Sequence, residues 1–265
     1  MSKFRTTSIS DLKFERDNLR YITVKTPNLK GRGDICVFVP EGSTATDLPM
    51  VILLHGVYGS CWAWPMRAGA HLTAQRLINE NKIKPMILVM PSDGLWGDGS
   101  AYLPHNSFDF EKWIVEDVPN AVIELIPQAS GRSPKFISGL SMGGFGALRI
   151  GSKYPEEFKG ISGHSSITSL EQMNLFVEEP LDNYTQNVST DEDVFLTMSK
   201  NSDQLPQLHF DCGKDDLLIE HNRKLHQQLL DIGIQHSYHE FEGAHEWEYW
   251  EEHLKDTLLF FDKLI

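Results

Sequence analysis

The sequence predicts an α/β fold: a mostly parallel central sheet with helices on both faces and a small cap insertion. Three observations predict it. From residue 50 onward, short apolar runs alternate with helical segments, the order that builds parallel strands joined by right-handed crossovers. Those runs are continuous blocks, as strands buried on both faces require. A chain of 265 residues with 40% hydrophobic side chains is enough for one large α/β domain, residues 1–265.

The elements follow in order. LRYITVKT (19–26) and DICVFVP (34–40) flank the turn-rich PNLKGRG and predict an antiparallel hairpin. MVILLHG (50–56) predicts the first doubly buried strand, ending in His-Gly. Residues 66–80 have helical spacing, and PMILVMP (85–91) is a second buried strand. Residues 110–126 read as a helix that Pro119 kinks or restarts. KFISGLS (135–141) and FKGISGH (158–164) are short strands on either side of a helix that begins after Ser141. QLHFDCG (207–213) is a strand, 219–233 a helix ended by Gly233, and QHSYHEFEG (235–243) the last strand. The terminal helix, 246–265, crowds acidic residues into its first turns, as the helix dipole favours. Residues 165–206 break the rhythm. They hold no strand and predict a cap or lid over the C-terminal sheet edge, with LEQMNLF (170–176) shaping the pocket; a long polar surface excursion has the same composition.

Charge and composition narrow the partners. Asp and Glu outnumber Lys and Arg 37 to 24, a net charge of −13, which argues against nucleic acid or an anionic membrane. The N-terminal MSKFRTTSISDLKFERDNLR has no apolar core of a secretory signal, and no apolar stretch has spanning length. Cys36, Cys61 and Cys212 are odd in number and sparse, so neither a disulfide framework nor a structural metal is expected. A cytoplasmic protein with reduced thiols and a small-molecule partner is the expectation, and a homo-oligomer is allowed.

SGLSMGGFGA (138–147) sets one serine among four glycines where a strand meets a helix. GLSMG fits G-x-S-x-G, the pattern of a sharp, strained turn that lifts a serine hydroxyl above the sheet edge. Gly139 and Gly143 are expected to remove clashes with the flanking strand and helix, and Gly144 and Gly146 to let the helix pack closely. The helix start aims free amides at a developing oxyanion. Ser141 is therefore the candidate nucleophile.

Such a serine needs an imidazole to take its proton and a carboxylate to hold the imidazole tautomer. Position selects among the downstream histidines. His245, in EGAHEW, lies between the last strand and the last helix, on the same sheet edge as Ser141. His221 and His226 fall within a helix, His236 and His239 within a strand, and His209 mid-strand in the core. The acid is expected in DCGKDDLL, where Asp215 and Asp216 share one loop and Asp211 lies on the strand. The loop HGVYG (55–59) offers a second oxyanion donor, so the N–H groups of Val57 and Met142 are the candidates. His55 reads as supporting that loop by a hydrogen bond rather than as a second base. Trp62, Trp64 and Trp96 follow strands that end at this edge. They are candidates for an apolar substrate wall, the alternative being that they anchor loops. Asp93 and Asp98, in SDGLWGDG, read as loop caps or as partners for substrate hydroxyls. No set of residues has the spacing of a metal site.

Together these residues resemble the esterase D-like serine esterases of the α/β-hydrolase fold. That group includes S-formylglutathione hydrolases, feruloyl and acetyl xylan esterases, tributyrin esterases and mycolyltransferases. The resemblance runs from about residue 34 onward. LLHGVYGSCWAW is similar to the oxyanion loop and GLSMGGFGAL to the nucleophile elbow. CGKDDLLIEHN resembles the acid loop, which implies Asp216 as the acid, and HEFEGAHEWEYW the histidine loop, with His245 as the base. The resemblance implies cofactor-free hydrolysis of short-chain, aromatic (feruloyl-type) or sugar-linked acyl esters through an acyl-enzyme. HGVYGSCWAW departs from the HGLTC-type loop of the S-formylglutathione branch and looks more like the tributyrin and feruloyl branch. A thioesterase of that first type and an acyltransferase are the alternative activities. A non-catalytic binding protein is the third reading, and a complete Ser, Asp and His set argues against it.

Overall fold

The computed structural model describes residues 2–43 and 45–265. The chain enters through β1 (Thr6–Ile9), β2 (Leu19–Thr26) and β3 (Gly31–Phe38), an antiparallel meander. Then come β4 (Met50–Leu54), α1 (Ala63–Arg67), α2 (Ala70–Asn79) and β5 (Ile87–Pro91). A small ribbon, β6 (Pro104–His105) with β7 (Phe108–Asp109), precedes α3 (Phe110–Lys112) and α4 (Val118–Leu125). The rest of the chain runs β8 (Lys135–Gly139), α5 (Met142–Lys153), β9 (Gly160–His164), α6 (Val194–Lys200), β10 (Gln207–Gly213), α7 (Ile219–Asp231), β11 (Ser237–Phe241) and α8 (Trp247–Asp262).

Nine strands form one sheet in the order β1-β2-β3-β5-β4-β8-β9-β10-β11. Every pairing from β5 to β11 is parallel. The chain steps from β4 to β5 in one direction and returns to β8 on the other side. Strand order therefore reverses at β4, where parallel sheets open a crevice at their C-terminal edge. The loops after β4 and β8, with HGVYG and Ser141, flank that crevice.

The apolar blocks of the sequence are strands covered on both sides. Ile52 of β4 joins Ile137, Phe145 and Leu148 in one core, while Val51 and Leu53 join Phe136, Leu254 and Leu258 in the other. That alternation is the period of two of a strand, with α4 to α7 over one face and α1, α2 and α8 over the other.

Two expectations need correction, and one strand is new. The helix over 66–80 is two helices, broken at Gly69, whose φ of 55° is left-handed and favours glycine. The helix over 110–126 neither stops nor restarts: it is unbroken over 110–125, with one π-helical turn inside it. The wide turn over Trp113–Asp117, where Val118 N–H reaches back five residues to Trp113 O, stands just before Pro119, and such a bulge is where a helix accommodates a residue with no N–H to donate. β1 has no counterpart in the reading, because TTSI is short and polar and gains its order by pairing with β2.

Residues 165–206 contribute no strand to the sheet. Short 3₁₀ turns at Leu170–Leu175, Leu181–Tyr184 and Ser189–Glu192 lead into α6. Ile167, Met173, Tyr184, Val194 and Met198 are buried in the main core, so the segment is docked on the body. Among the described residues no helix is long and apolar enough to cross a membrane.

Candidate active site

Ser141 stands between β8 and α5 with φ 54° and ψ −118°. A non-glycine residue there stores strain of about 1–3 kcal/mol, which the surroundings must over-determine. They do: Ser141 N–H donates to His164 O at 3.0 Å, and Ser141 O accepts from Phe145 and Ile167 N–H at 3.1 and 3.2 Å. The flanking glycines are required by close approach. A Cβ on Gly139 would lie 2.2 Å from Gly143 O, and one on Gly143 would lie 2.3 Å from Leu54 O. Side chains at either position would force the turn open.

Two other loops converge on this hydroxyl. His245 Nε2 lies 2.9 Å from Ser141 Oγ, and its Nδ1 lies 2.9 Å from Asp216 Oδ2 and 3.1 Å from Oδ1. Asp216 is buried, and its Oδ1 also accepts Leu218 N–H at 2.8 Å, which fixes the carboxylate plane. Asp215 is exposed. Asp211 is engaged by Tyr249 and His164 instead. Of the three candidate acids, only Asp216 meets the histidine. The acid and histidine loops are pinned together by Lys214 N–H to Phe241 O (2.8 Å) and Asp215 N–H to Gly243 O (3.0 Å). Phe176 stacks on the His245 ring at 5.2 Å, and Trp250 meets it edge-on at 5.0 Å. A neutral imidazole held in this way has one nitrogen committed to the carboxylate and the other aimed at the hydroxyl.

The N–H groups of Val57 and Met142 have no hydrogen-bond partner among the described residues. Both flank Ser141, Met142 as the next residue and Val57 on the loop after β4. His55 holds that loop. Its Nδ1 lies 2.6 Å from Gly56 O, and its Nε2 accepts Asp93 N–H at 3.0 Å. With both ring nitrogens engaged and the ring buried, His55 has no free nitrogen to act as a base. Tyr102 OH donates to His55 O at 3.0 Å.

The tryptophans separate. Trp62 is half exposed beside the loop. Trp64 corrects the expectation of a substrate wall: it is 1% exposed, donates Nε1–H to Leu54 O at 3.0 Å and packs against Trp247. It anchors the loop. Trp96 is partly buried, edge-on to His105 and Tyr184. Asp93 is a loop cap, accepting Leu95 and Ser100 N–H at 2.9 and 2.7 Å.

Asp98 joins the insertion to the oxyanion loop. Its Oδ2 accepts Glu178 N–H at 2.8 Å, its N–H donates to Glu179 Oε1 at 3.0 Å, and its carbonyl accepts Tyr58 N–H at 2.8 Å. Tyr58 OH donates to Phe176 O, and Tyr184 OH to Gly99 O at 2.9 Å. This strap was not legible in the sequence, because its partners lie about 80 residues apart and share no pattern. Tyr58, Leu95, Leu175 and Leu217 are exposed apolar residues on the loops after β4, β5, β9 and β10. Their only sequence signal is a large apolar side chain inside a polar loop. A polar cleft of 550 Å³ opens between the insertion and α7, lined by Glu171, Asn174, Leu175, His221, Lys224 and Gln228 among others; Leu175 is on its wall, and none of Ser141, Asp216 and His245 lines it. Among the described residues no cluster of three His, Cys, Asp or Glu side chains could hold a metal ion. The three cysteines are buried free thiols, and burial pushes Cys36 up to about 12.

Comparison with known proteins places this geometry in a wider set. The Esterase family model matches residues 26–261. The chain is 27% identical to an acetyl esterase of Caldicellulosiruptor saccharolyticus over 273 residues, covering 96% of this chain and 95% of that one. Its fold is similar to that of a ferulic acid esterase (TM-score 0.79, 21% identity, covering 98% of this chain and 100% of that one). It is also similar to that of an S-formylglutathione hydrolase from Agrobacterium tumefaciens (TM-score 0.79, 18% identity, covering 100% and 99%).

Proposed function

The chain belongs to the Esterase family, and from that premise we propose that Ser141, His245 and Asp216 hydrolyse small carboxylic esters through an acyl-enzyme. Family membership makes the chain a carboxylic ester hydrolase of the serine type. The observation that carries the residue assignment is the unbroken chain of contacts Ser141 Oγ–His245 Nε2 and His245 Nδ1–Asp216 Oδ2, each 2.9 Å.

The steps follow from that chain. His245 Nε2 takes the Ser141 proton as Oγ attacks the ester carbonyl. The carbonyl oxygen gains charge and is held by the N–H groups of Val57 and Met142. His245 returns the proton to the departing alkoxide, which leaves as the alcohol, and Ser141 keeps the acyl group. Water then gives a proton to His245 and attacks the acyl carbon; as the acyl–Oγ bond breaks, His245 passes that proton to Ser141 Oγ, which releases the acid and restores the serine. Asp216 holds the imidazole tautomer and stabilises the transient imidazolium.

The apolar side chains of Tyr58, Trp62, Leu95, Leu175 and Leu217 around this edge support a short-chain or aromatic acyl group. The likeness to an acetyl esterase supports the short-chain end of that range. We read residues 1–265 as one catalytic unit with 165–206 as its cap. Buried free thiols and an acidic surface support a cytoplasmic setting.

A fluorophosphonate probe should label the protein, with the adduct mapped to Ser141. An adduct elsewhere, or undiminished labelling of Ser141→Ala, refutes the assignment. Rates on p-nitrophenyl acetate, a feruloyl ester, an acetylated saccharide and S-formylglutathione then rank the substrate classes. A thioester preference overturns the ester reading.

A further inference from the structure

Beneath the site lies a second set of polar side chains that the chemistry above does not use. His164 on β9 and Asp211 on β10 are register partners, and both are fully buried. His164 Nδ1 lies 2.9 Å from Asp211 Oδ2. Tyr249 OH donates to Asp211 Oδ1 at 2.8 Å. Thr257 Oγ1 lies 3.0 Å from His164 Nε2 and 2.8 Å from Ser162 Oγ, which in turn lies 3.0 Å from His209 Nδ1. Burial alone would raise the Asp211 carboxyl, yet the His164 ring, with smaller help from His209 and Tyr249, holds it below its ordinary value.

Such a network is a weak source of stability. Taking a carboxylate out of water is costly, and well-packed apolar side chains of the same volume are often as stable or more so. Its value lies in what it connects. His164 O accepts the Ser141 N–H at 3.0 Å, so His164 is tied to the nucleophile turn. Asp211 stands just before the acid loop, and its carbonyl accepts Ser165 N–H at 2.8 Å. Tyr249 and Thr257 lie on α8, which follows directly from His245, and the Tyr249 ring packs so closely on Gly243 that a Cβ there would lie 2.8 Å from it. One buried cluster thus touches the supports of all three loops.

We propose that His164, Asp211, Tyr249 and Thr257 are positioning residues that fix the loops carrying Ser141, Asp216 and His245 relative to one another. The proposal rests on the assignment of those three as the reacting groups. None of the four touches substrate. Their effect is on the geometry of proton transfer, where an error of about 1 Å can cost 10²-fold. Loosening the cluster should therefore lower kcat while leaving KM, set at the loop surfaces, in place.

The test uses two variants that remove a hydroxyl without changing shape, Tyr249→Phe and Thr257→Val, with Thr257→Ser as the conservative control. Activity on p-nitrophenyl acetate is measured well below each melting temperature, with circular dichroism establishing the fold and active-site titration the enzyme concentration. Both hydroxyl-less variants should lose roughly 10- to 100-fold in kcat, with KM within about twofold of wild type, and Thr257→Ser should recover most of the loss. Variants that melt earlier yet keep wild-type kcat overturn the proposal, as does a change confined to KM, or a Thr257→Ser as impaired as Thr257→Val. Ser141→Ala run alongside separates the two readings. If it stays active, the triad assignment has failed; if it is inert while Tyr249→Phe is unimpaired, only the positioning role has failed.

Discussion

Replacing Asp216 by asparagine tests the site at one atom. Asp216 Oδ1 accepts Leu218 N–H at 2.8 Å, so the oxygen of an asparagine must stay on that side. The amide nitrogen then takes the place of Oδ2, 2.9 Å from His245 Nδ1. Two donors cannot face each other at that distance, so the ring adopts the other tautomer and Nδ1 accepts from the amide. Nε2 then carries the hydrogen and faces Ser141 Oγ with nothing to accept its proton. Asp216→Asn should lower kcat by about 10³- to 10⁴-fold, equivalent to about 4–5.5 kcal/mol of transition-state stabilisation. Asp215→Asn should stay within about threefold, since its exposed side chain contacts neither partner. Steady-state hydrolysis of p-nitrophenyl acetate by both folded variants decides the matter. An Asp216→Asn enzyme within tenfold of wild type, or an Asp215→Asn enzyme equally impaired, refutes the tautomer reasoning.

Ser141→Ala should lose about 10⁴- to 10⁶-fold in kcat; Ser141→Gly should be as inactive yet melt higher, because glycine relieves a left-handed φ of 54° worth about 1 kcal/mol or more, and a lower melting temperature would show that the turn is not strained. Burial holds His209 near 4, below its ordinary 6.5, so the folded state favours the neutral ring; its contribution is complete above about pH 6.5 and is lost as pH falls towards 4, and His209→Gln should flatten that part of a urea-midpoint profile. Burial would raise Glu111, but Arg149, Tyr154 and Lys153 together outweigh it and hold the carboxyl at about 2; that contribution is complete above its ordinary 4.5 and disappears as pH falls towards 2, so Glu111→Gln should flatten the acid limb below pH 4.5. Leu175→Ala, at the exposed end of the turn before Phe176, should reorder ester substrates by several-fold while leaving the fluorophosphonate rate within about twofold; equal losses on every substrate would make the residue structural.

What could be read from the sequence depended on how local its cause was. The blocks MVILL and ILVMP announce strands because a strand covered on both faces needs no polar alternation. Ser141 was legible because close approach demands glycines at fixed offsets from it. Asp215 and Asp216 could not be separated by pattern, since the choice depends on how the turn after Gly213 directs each side chain. Trp64 looked like its neighbour Trp62, and only the position of Leu54 O decides that one indole is buried and the other half exposed. The pairing of His164 with Asp211 rests on the register of two adjacent strands, which neither segment specifies alone.

The strap through Asp98, Tyr58 and Phe176 has a consequence for redesign. Surface connections tolerate change better than the elements they join, yet this insertion after a strand is bonded to the loop that carries the proposed oxyanion donor. Exchanging residues 165–206 for a foreign segment would leave Asp98 Oδ2 and the Tyr58 hydroxyl without their partners, and the Val57 amide would lose its outer support. A chimera made to change substrate preference would then be slow on every substrate. Grafts that keep an N–H at the place of Glu178 and a carbonyl at the place of Phe176 would avoid that loss, so the exchangeable unit is the insertion together with residues 94–99.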